Sequence, residues 1–161
     1  MEDRDFEGRG DGAARLASPD SARVDFFLAG GLGSGAAVLI GSELRLAEAA
    51  GRLARQIVPS APLLWATLGL AAVPSARDTV ARVDGDTLRA DIGKPVAWRL
   101  TFVRDTLRRV ERVDGGRVVE SVSRLADGHV QYRNAVSRRR LDLFVTRSDN
   151  ASTFDATIWK P

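Results

Sequence analysis

The chain has 161 residues, 44% of them hydrophobic and 28% charged, enough for one domain with a real core and ordinary for a globular protein. It contains no cysteine, which excludes a disulfide framework, a thiolate metal site, a cysteine nucleophile and a lipid-bearing cysteine. The net charge is +3, Lys94 and Lys160 are the two lysines among otherwise arginine cations, and acids are interspersed with bases, so a nucleic-acid partner is not favoured.

Residues 1–7 are charged and lack the apolar run of a secretory signal. Either the protein is cytosolic or this chain starts downstream of its natural start. Residues 1–12 are polar and Gly-rich and read as a frayed end or an incomplete first strand. Residues 13–17 form a short strand, and Ser18-Pro19-Asp20-Ser21 is turn chemistry. Residues 23–29 alternate, with Val24, Phe26 and Leu28 on one side. A glycine loop comes next, with Leu32 inside it, then the apolar strand 36–40 and a further strand 43–46.

Gly31-Leu32-Gly33-Ser34-Gly35-Ala36 fits the permissive dinucleotide fingerprint, but the run 36–40 is short, β-prone and ended by Gly41. The fingerprint needs a helix there, so a hairpin loop is the better reading. On composition Leu32 folds back into the core, or is offered to a partner or membrane.

Residues 47–57 have helical composition. No charge occurs from residue 57 to residue 76. Ser60 is a candidate N-cap, and Pro62 is tolerated in a first turn. Leu64, Trp65 and Leu68 share one helical face, and Leu63, Ala66 and Leu70 make the other apolar too. The stretch from 63 to 73 is too short to span a bilayer, so it reads as a buried plug helix.

After Pro74 the pattern is β throughout. Strands are expected over 79–84, 87–92, 96–102, 107–113 and 117–124, with Asp114-Gly115-Gly116 as a strong hairpin signal. Further strands are expected around Val130 and Tyr132, over 141–145, and over 154–159 at the end. The fold class is therefore α+β: a curved antiparallel β-sheet forming an unclosed half-barrel, with short helices plugging the concave face, in a single domain over 1–161.

Catalytic signals are weak. His129 is the single histidine, which argues against a metal site and leaves a triad nothing else to use. Asp84/Asp86 and Asp25/Glu43 are acid pairs that no spacing singles out. Arg138-Arg139-Arg140, with Arg133 before them, form the one basic run. Arg104, Arg108, Arg109, Arg112 and Arg117 could join it on neighbouring strands. Such a cluster contacts phosphate or anionic headgroups, or is a solvated outer face.

Residues 24–39 (VDFFLAGGLGSGAAVL), 58–74 (VPSAPLLWATLGLAAVP) and 130–159 resemble the bacterial outer-membrane lipoprotein localisation carrier and receptor family, closest to the receptor branch. Leu32-Gly33 falls on that branch's loop Leu-Gly pair. The resemblance implies an apolar cavity for lipid or lipoprotein acyl chains, no enzymatic activity, no cofactor, and a monomer on the periplasmic face of the outer membrane or in the periplasm. It implies a partner carrier protein and peripheral contact with the membrane surface. Phe26, Leu28, Val38 and Ile40 are expected on one wall of that cavity. Trp98, Leu100, Phe102, Leu141 and Leu143 are expected on the other, and Leu64, Trp65 and Leu68 form the lid. Leu32 becomes an exposed membrane or cargo probe. A structural or protein-interaction module of the same fold, with a filled core, is the alternative.

Overall fold

The computed structural model describes residues 8–17, 19–30, 33–47, 58–150 and 153–160. Among them are eleven β-strands, one α-helix and one 3₁₀ turn. They fall into two units, Met1–Val58 with Ala151–Pro161, and Pro59–Asn150.

The first unit holds β1 (Gly10–Ala17), β2 (Ser21–Leu28), β3 (Gly33–Ile40) and β4 (Glu43–Leu46), paired in chain order and antiparallel throughout. β1 starts earlier than the composition suggests. Its first glycine is needed there, because a Cβ at Gly10 would stand 2.3 Å from the carbonyl oxygen of Phe27. The fingerprint-like stretch enters a strand, with Gly33–Ile40 hydrogen-bonded to β2 and no helix directly after it. The helix expected over 47–57 lies, apart from Ala47, outside the described residues.

The terminal strand expected over 154–159 is instead a 3₁₀ turn, Ala156–Trp159. The Asp155 carboxylate accepts from the backbone N–H of Thr157 at 2.8 Å and from its hydroxyl at 2.7 Å. That local cap competes with strand formation. Phe154 and Trp159 then meet edge to face, ring centroids 6.0 Å apart. The turn lies against β2, where the Arg23 guanidinium donates to the carbonyl oxygens of Ile158 and Lys160 at 2.9 and 2.6 Å.

The second unit opens with α1 (Ala61–Thr67) and continues with β5 (Thr79–Asp84), β6 (Thr87–Ile92), β7 (Trp98–Val103), β8 (Thr106–Asp114), β9 (Arg117–Arg124), β10 (His129–Asn134) and β11 (Arg139–Phe144). These seven strands form one antiparallel sheet in chain order. The β8–β9 hairpin turns through Gly115 and Gly116, both at positive φ (53° and 76°), the conformation a two-residue primed turn demands.

Among the described residues, the strands thus make two open antiparallel sheets, where the sequence suggests one continuous curved sheet. α1 lies in the chain between β4 and β5.

The helix takes in Pro62 and ends at Thr67, short of the apolar stretch that runs on to residue 73. Thr67 Oγ1 donates back to the Leu64 carbonyl oxygen at 2.7 Å, and Gly69 leaves the helical region at φ 91°. Ser60 stands at the N-cap but makes no side-chain cap hydrogen bond. Leu63 and Ala66 pack on Ile92, Leu100, Leu107, Val110, Val122, Val130 and Tyr132, the core of this unit.

Candidate functional site

The register fixes which side chains share a face, because directly opposed residues of an antiparallel pair project to the same side. In the four-stranded sheet, Leu28 opposes Gly33 and Phe26 opposes Gly35, while Val38 opposes Arg23 and Ile40 opposes Ser21. Phe26 and Leu28 therefore project from one face, and Val38 and Ile40 from the other. These four residues, expected on one wall, do not share one.

The face bearing Phe26 and Leu28 is apolar along all four strands. β1 places Gly10, Gly12, Ala14 and Leu16 on it, and β2 adds Ala22 and Val24. β3 supplies Gly33, Gly35, Ala37 and Leu39, and β4 supplies Leu44 and Leu46. Among the described residues of these strands, no charged or hydrogen-bonding side chain stands there. Ala22, Ala37 and Leu39 are fully buried. Val24, Phe26, Leu28, Leu44 and Leu46 are half-buried, and Leu16 is exposed.

The opposite face carries the charge. Arg15 directly opposes Arg23, and Asp25 accepts a hydrogen bond from each, which offsets the like-charge juxtaposition.

In the seven-stranded sheet, Trp98, Leu100 and Phe102 lie on the same face as Leu141 and Leu143, as their alternation suggests. The centre of that face is closed by the helix, while Trp98, Phe102, Leu141 and Leu143 around it are half-buried. Leu63 is fully buried against it, and Val110, Val122 and Val130 are each 1% exposed. Leu63 and Ala66, not Leu64, Trp65 and Leu68, are the helix residues in this cluster. Leu64 and Trp65 are buried outside it, and Leu68 is half-buried.

A polar network closes one end of this face. Glu120 accepts from the Tyr132 hydroxyl at 2.7 Å, from Asn134 at 3.0 Å and from Arg112 at 2.6 Å. Burial first, and the adjacent Glu120 second, push the Tyr132 phenol up to about 12. At the other end, Arg124 donates to the last helical carbonyl, Thr67 O, at 2.6 Å. Desolvation, aided by the neighbouring Arg108 charge, lowers the pKa of Arg124.

The outer face is laced with ion pairs. Arg99 bonds Asp91 at 2.8 Å, and Arg109 bonds Glu111 at 2.8 Å. His129 stacks on Phe144 at 4.6 Å, and its Nε2 lies 2.8 Å from Asp142. Of the acids raised by the sequence, Asp25 belongs to the arginine bridge, Glu43 pairs with Arg45, and Asp86 pairs with Arg104.

Clefts open on this unit. One, of about 340 Å³, is lined by Arg108, Arg124, Asp127 and His129 among others. Another, of about 480 Å³, gathers Arg133, Arg138, Arg139 and Arg140 beside Ser121 and Asn134. Of the further arginines proposed to join the basic run, Arg112 and Arg109 are tied to Glu120 and Glu111. Arg104 and Arg108 stand at the opposite end of the strands from the β10–β11 turn. Leu32 lies outside the described residues.

Sequence reasoning placed Val24 beside Phe26 and Leu28 but missed Ala22, Leu39, Leu44 and Leu46 as members of the same apolar surface. Each strand displays its own alternation, but only the register joins them. No family model matches the chain, and no curated protein or solved structure matches it at a significant level.

Proposed function

We propose that the protein is a non-enzymatic binder of lipid or lipoprotein acyl chains, acting in lipoprotein transfer at a bacterial outer membrane, as the sequence resemblance implies. The observation that carries the reading is the charge-free face of the four-stranded sheet, with its half-buried Phe26, Leu28, Leu44 and Leu46. An acyl chain lies on such a surface without stranding a polar group, and each methylene removed from water is worth about 0.8 kcal/mol. Within each sheet the strands follow chain order and are antiparallel, which is loosely compatible with the half-barrel that the resemblance implies.

The register supplies the experiment. Phe26→Asp puts a carboxylate on the apolar face, and Phe27→Asp puts one on the opposite face, where Phe27 is 57% exposed. In titrations with a fluorescent fatty acid, Phe26→Asp loses binding and Phe27→Asp keeps it, both variants retaining the wild-type circular dichroism. Equal binding by both would remove the apolar face from the account.

Leu32 is proposed as the membrane or cargo probe. Burying one leucine is worth about 1.5–3 kcal/mol, enough to bias a transfer step and too little to anchor the protein. Leu32→Asp is expected to slow delivery of cargo to vesicles while leaving the fold intact.

A second reading, a protein-interaction module, is favoured by the buried centre of the seven-stranded sheet and by its edge. Every residue of β5 is exposed, Val80 by 53% and Val83 by 74%. Such an edge offers unpaired backbone groups to an added strand.

A further inference from the structure

Directly opposed arginine pairs occur in both sheets, Arg15/Arg23, Arg82/Arg89 and Arg133/Arg140, and among the described residues the first alone shares an acid; the third is the one that stands beside an exposed apolar turn and a cleft. Arg15 and Arg23 oppose each other and share Asp25. Arg133 and Arg140 oppose each other in the seven-stranded sheet, but there the acid, Asp142, bonds Arg140 and not Arg133, its other partners being His129 and Gln131. Arg133 and Arg138 form no ion pair among the described residues. Like charges held directly opposite cost free energy unless an anion comes between them.

The surroundings suit such an anion. Arg133, Arg138, Arg139 and Arg140 are all exposed and border one cleft of about 480 Å³, which Glu120 also lines, its carboxylate already held by Arg112, Tyr132 and Asn134. The turn that presents them is held in shape, because Asn134 Oδ1 accepts from the backbone N–H groups of Val136 and Ser137 at 3.0 and 2.8 Å. Val136, at the tip of that turn, is 74% exposed. An exposed apolar residue in a turn whose neighbours in the chain are arginines is complementary to an anionic bilayer, where the valine enters the interface and the guanidinium groups meet lipid phosphates.

We propose that the β10–β11 turn is a docking surface for anionic phospholipid membranes, with Arg133 and Arg138 as headgroup contacts and Val136 as the inserted side chain. This surface extends the proposed function without depending on acyl-chain uptake, since vesicle binding is measured with no cargo present.

The test is co-sedimentation of the full chain with vesicles of phosphatidylcholine alone or with added phosphatidylglycerol. The variants are Arg133→Glu/Arg138→Glu, Val136→Asp, and Arg82→Glu/Arg89→Glu as a control. Arg82 and Arg89 form an opposed pair on the strands at the far edge of the sheet, so the control changes net charge equally. The proposal expects binding only with phosphatidylglycerol, weakened about tenfold or more by the first double variant and about twofold at most by the control. It also expects Val136→Asp to weaken binding, and millimolar inorganic phosphate to compete poorly at constant ionic strength. Equal loss in the two double variants would reduce the effect to net charge and overturn the site. Full displacement by inorganic phosphate, with Val136→Asp unaffected, would assign the cleft to free phosphate and overturn membrane docking. Absence of binding to either vesicle would overturn it outright.

Discussion

Arg124 on β9 donates a hydrogen bond of 2.6 Å to the carbonyl oxygen of Thr67, the last residue of α1. This one contact caps the negative end of the helix with a cation and ties it to a central strand. The guanidinium also covers Gly69, where an added Cβ would lie 3.4 Å from its central carbon. Arg124→Met is expected to destabilise the protein by about 1–2 kcal/mol, through loss of a charge-assisted bond to an otherwise unpaired carbonyl. Urea denaturation of the variant measures it.

The helix is expected to act through Leu63. Leu63→Ala empties a fully buried site and should cost about 2–5 kcal/mol. Leu70→Ala, at a residue 38% exposed and beyond the helix, should stay within about 0.5 kcal/mol. A matched pair of denaturation curves decides whether the face carrying Leu63 is the one that holds the helix down.

That phase was only partly legible in the sequence. The stretch is apolar all round, so composition announces burial but cannot say which side meets the sheet. Hairpins were far more legible. Asp114-Gly115-Gly116 specifies its turn chemically, and β5, β6 and β9 begin and end where alternation and turn residues place them. The end of the chain was not, because Phe154, Ala156 and Ile158 alternate like a strand while the Asp155 side chain caps a turn.

The same limit explains the candidate site. Alternation assigns faces within β2 and within β3 but not between them. Leu28 opposes Gly33, so even-numbered residues of β2 share a face with odd-numbered residues of β3. Choosing Val38 and Ile40 beside Phe26 and Leu28 assumed the opposite phase. Leu39 and Ala37 are the neighbours the register supplies.

Tyr132, the one tyrosine, offers a spectroscopic prediction. Its phenol is pushed from 10.0 up to about 12 by burial and by Glu120. A group whose folded value is raised contributes stability that is complete below its unfolded value and fades as pH rises through the folded one. Stability from this group is therefore expected to be intact below about pH 10 and lost between there and about pH 12. Ultraviolet titration of the folded protein should show the late ionisation, and unfolding in urea should restore the ordinary one.

Asp142 gives the acid-side counterpart. The Arg140 guanidinium, with Gln131 and His129, holds its carboxyl well below the ordinary 3.8. A depressed carboxylate contributes stability above its unfolded value and loses it as pH falls. Wild-type stability should therefore drop on acidification below about pH 4, and Asp142→Asn should flatten that drop while lowering stability at neutral pH.

The central claim is that the protein binds acyl chains. Native mass spectrometry of the purified full chain, followed by solvent extraction, tests it most directly. The account predicts a mass shifted by a fatty acid or phospholipid, either carried through purification or acquired on incubation with lipid. A mass that stays at the bare chain after that incubation would contradict it and leave the protein-interaction module as the reading.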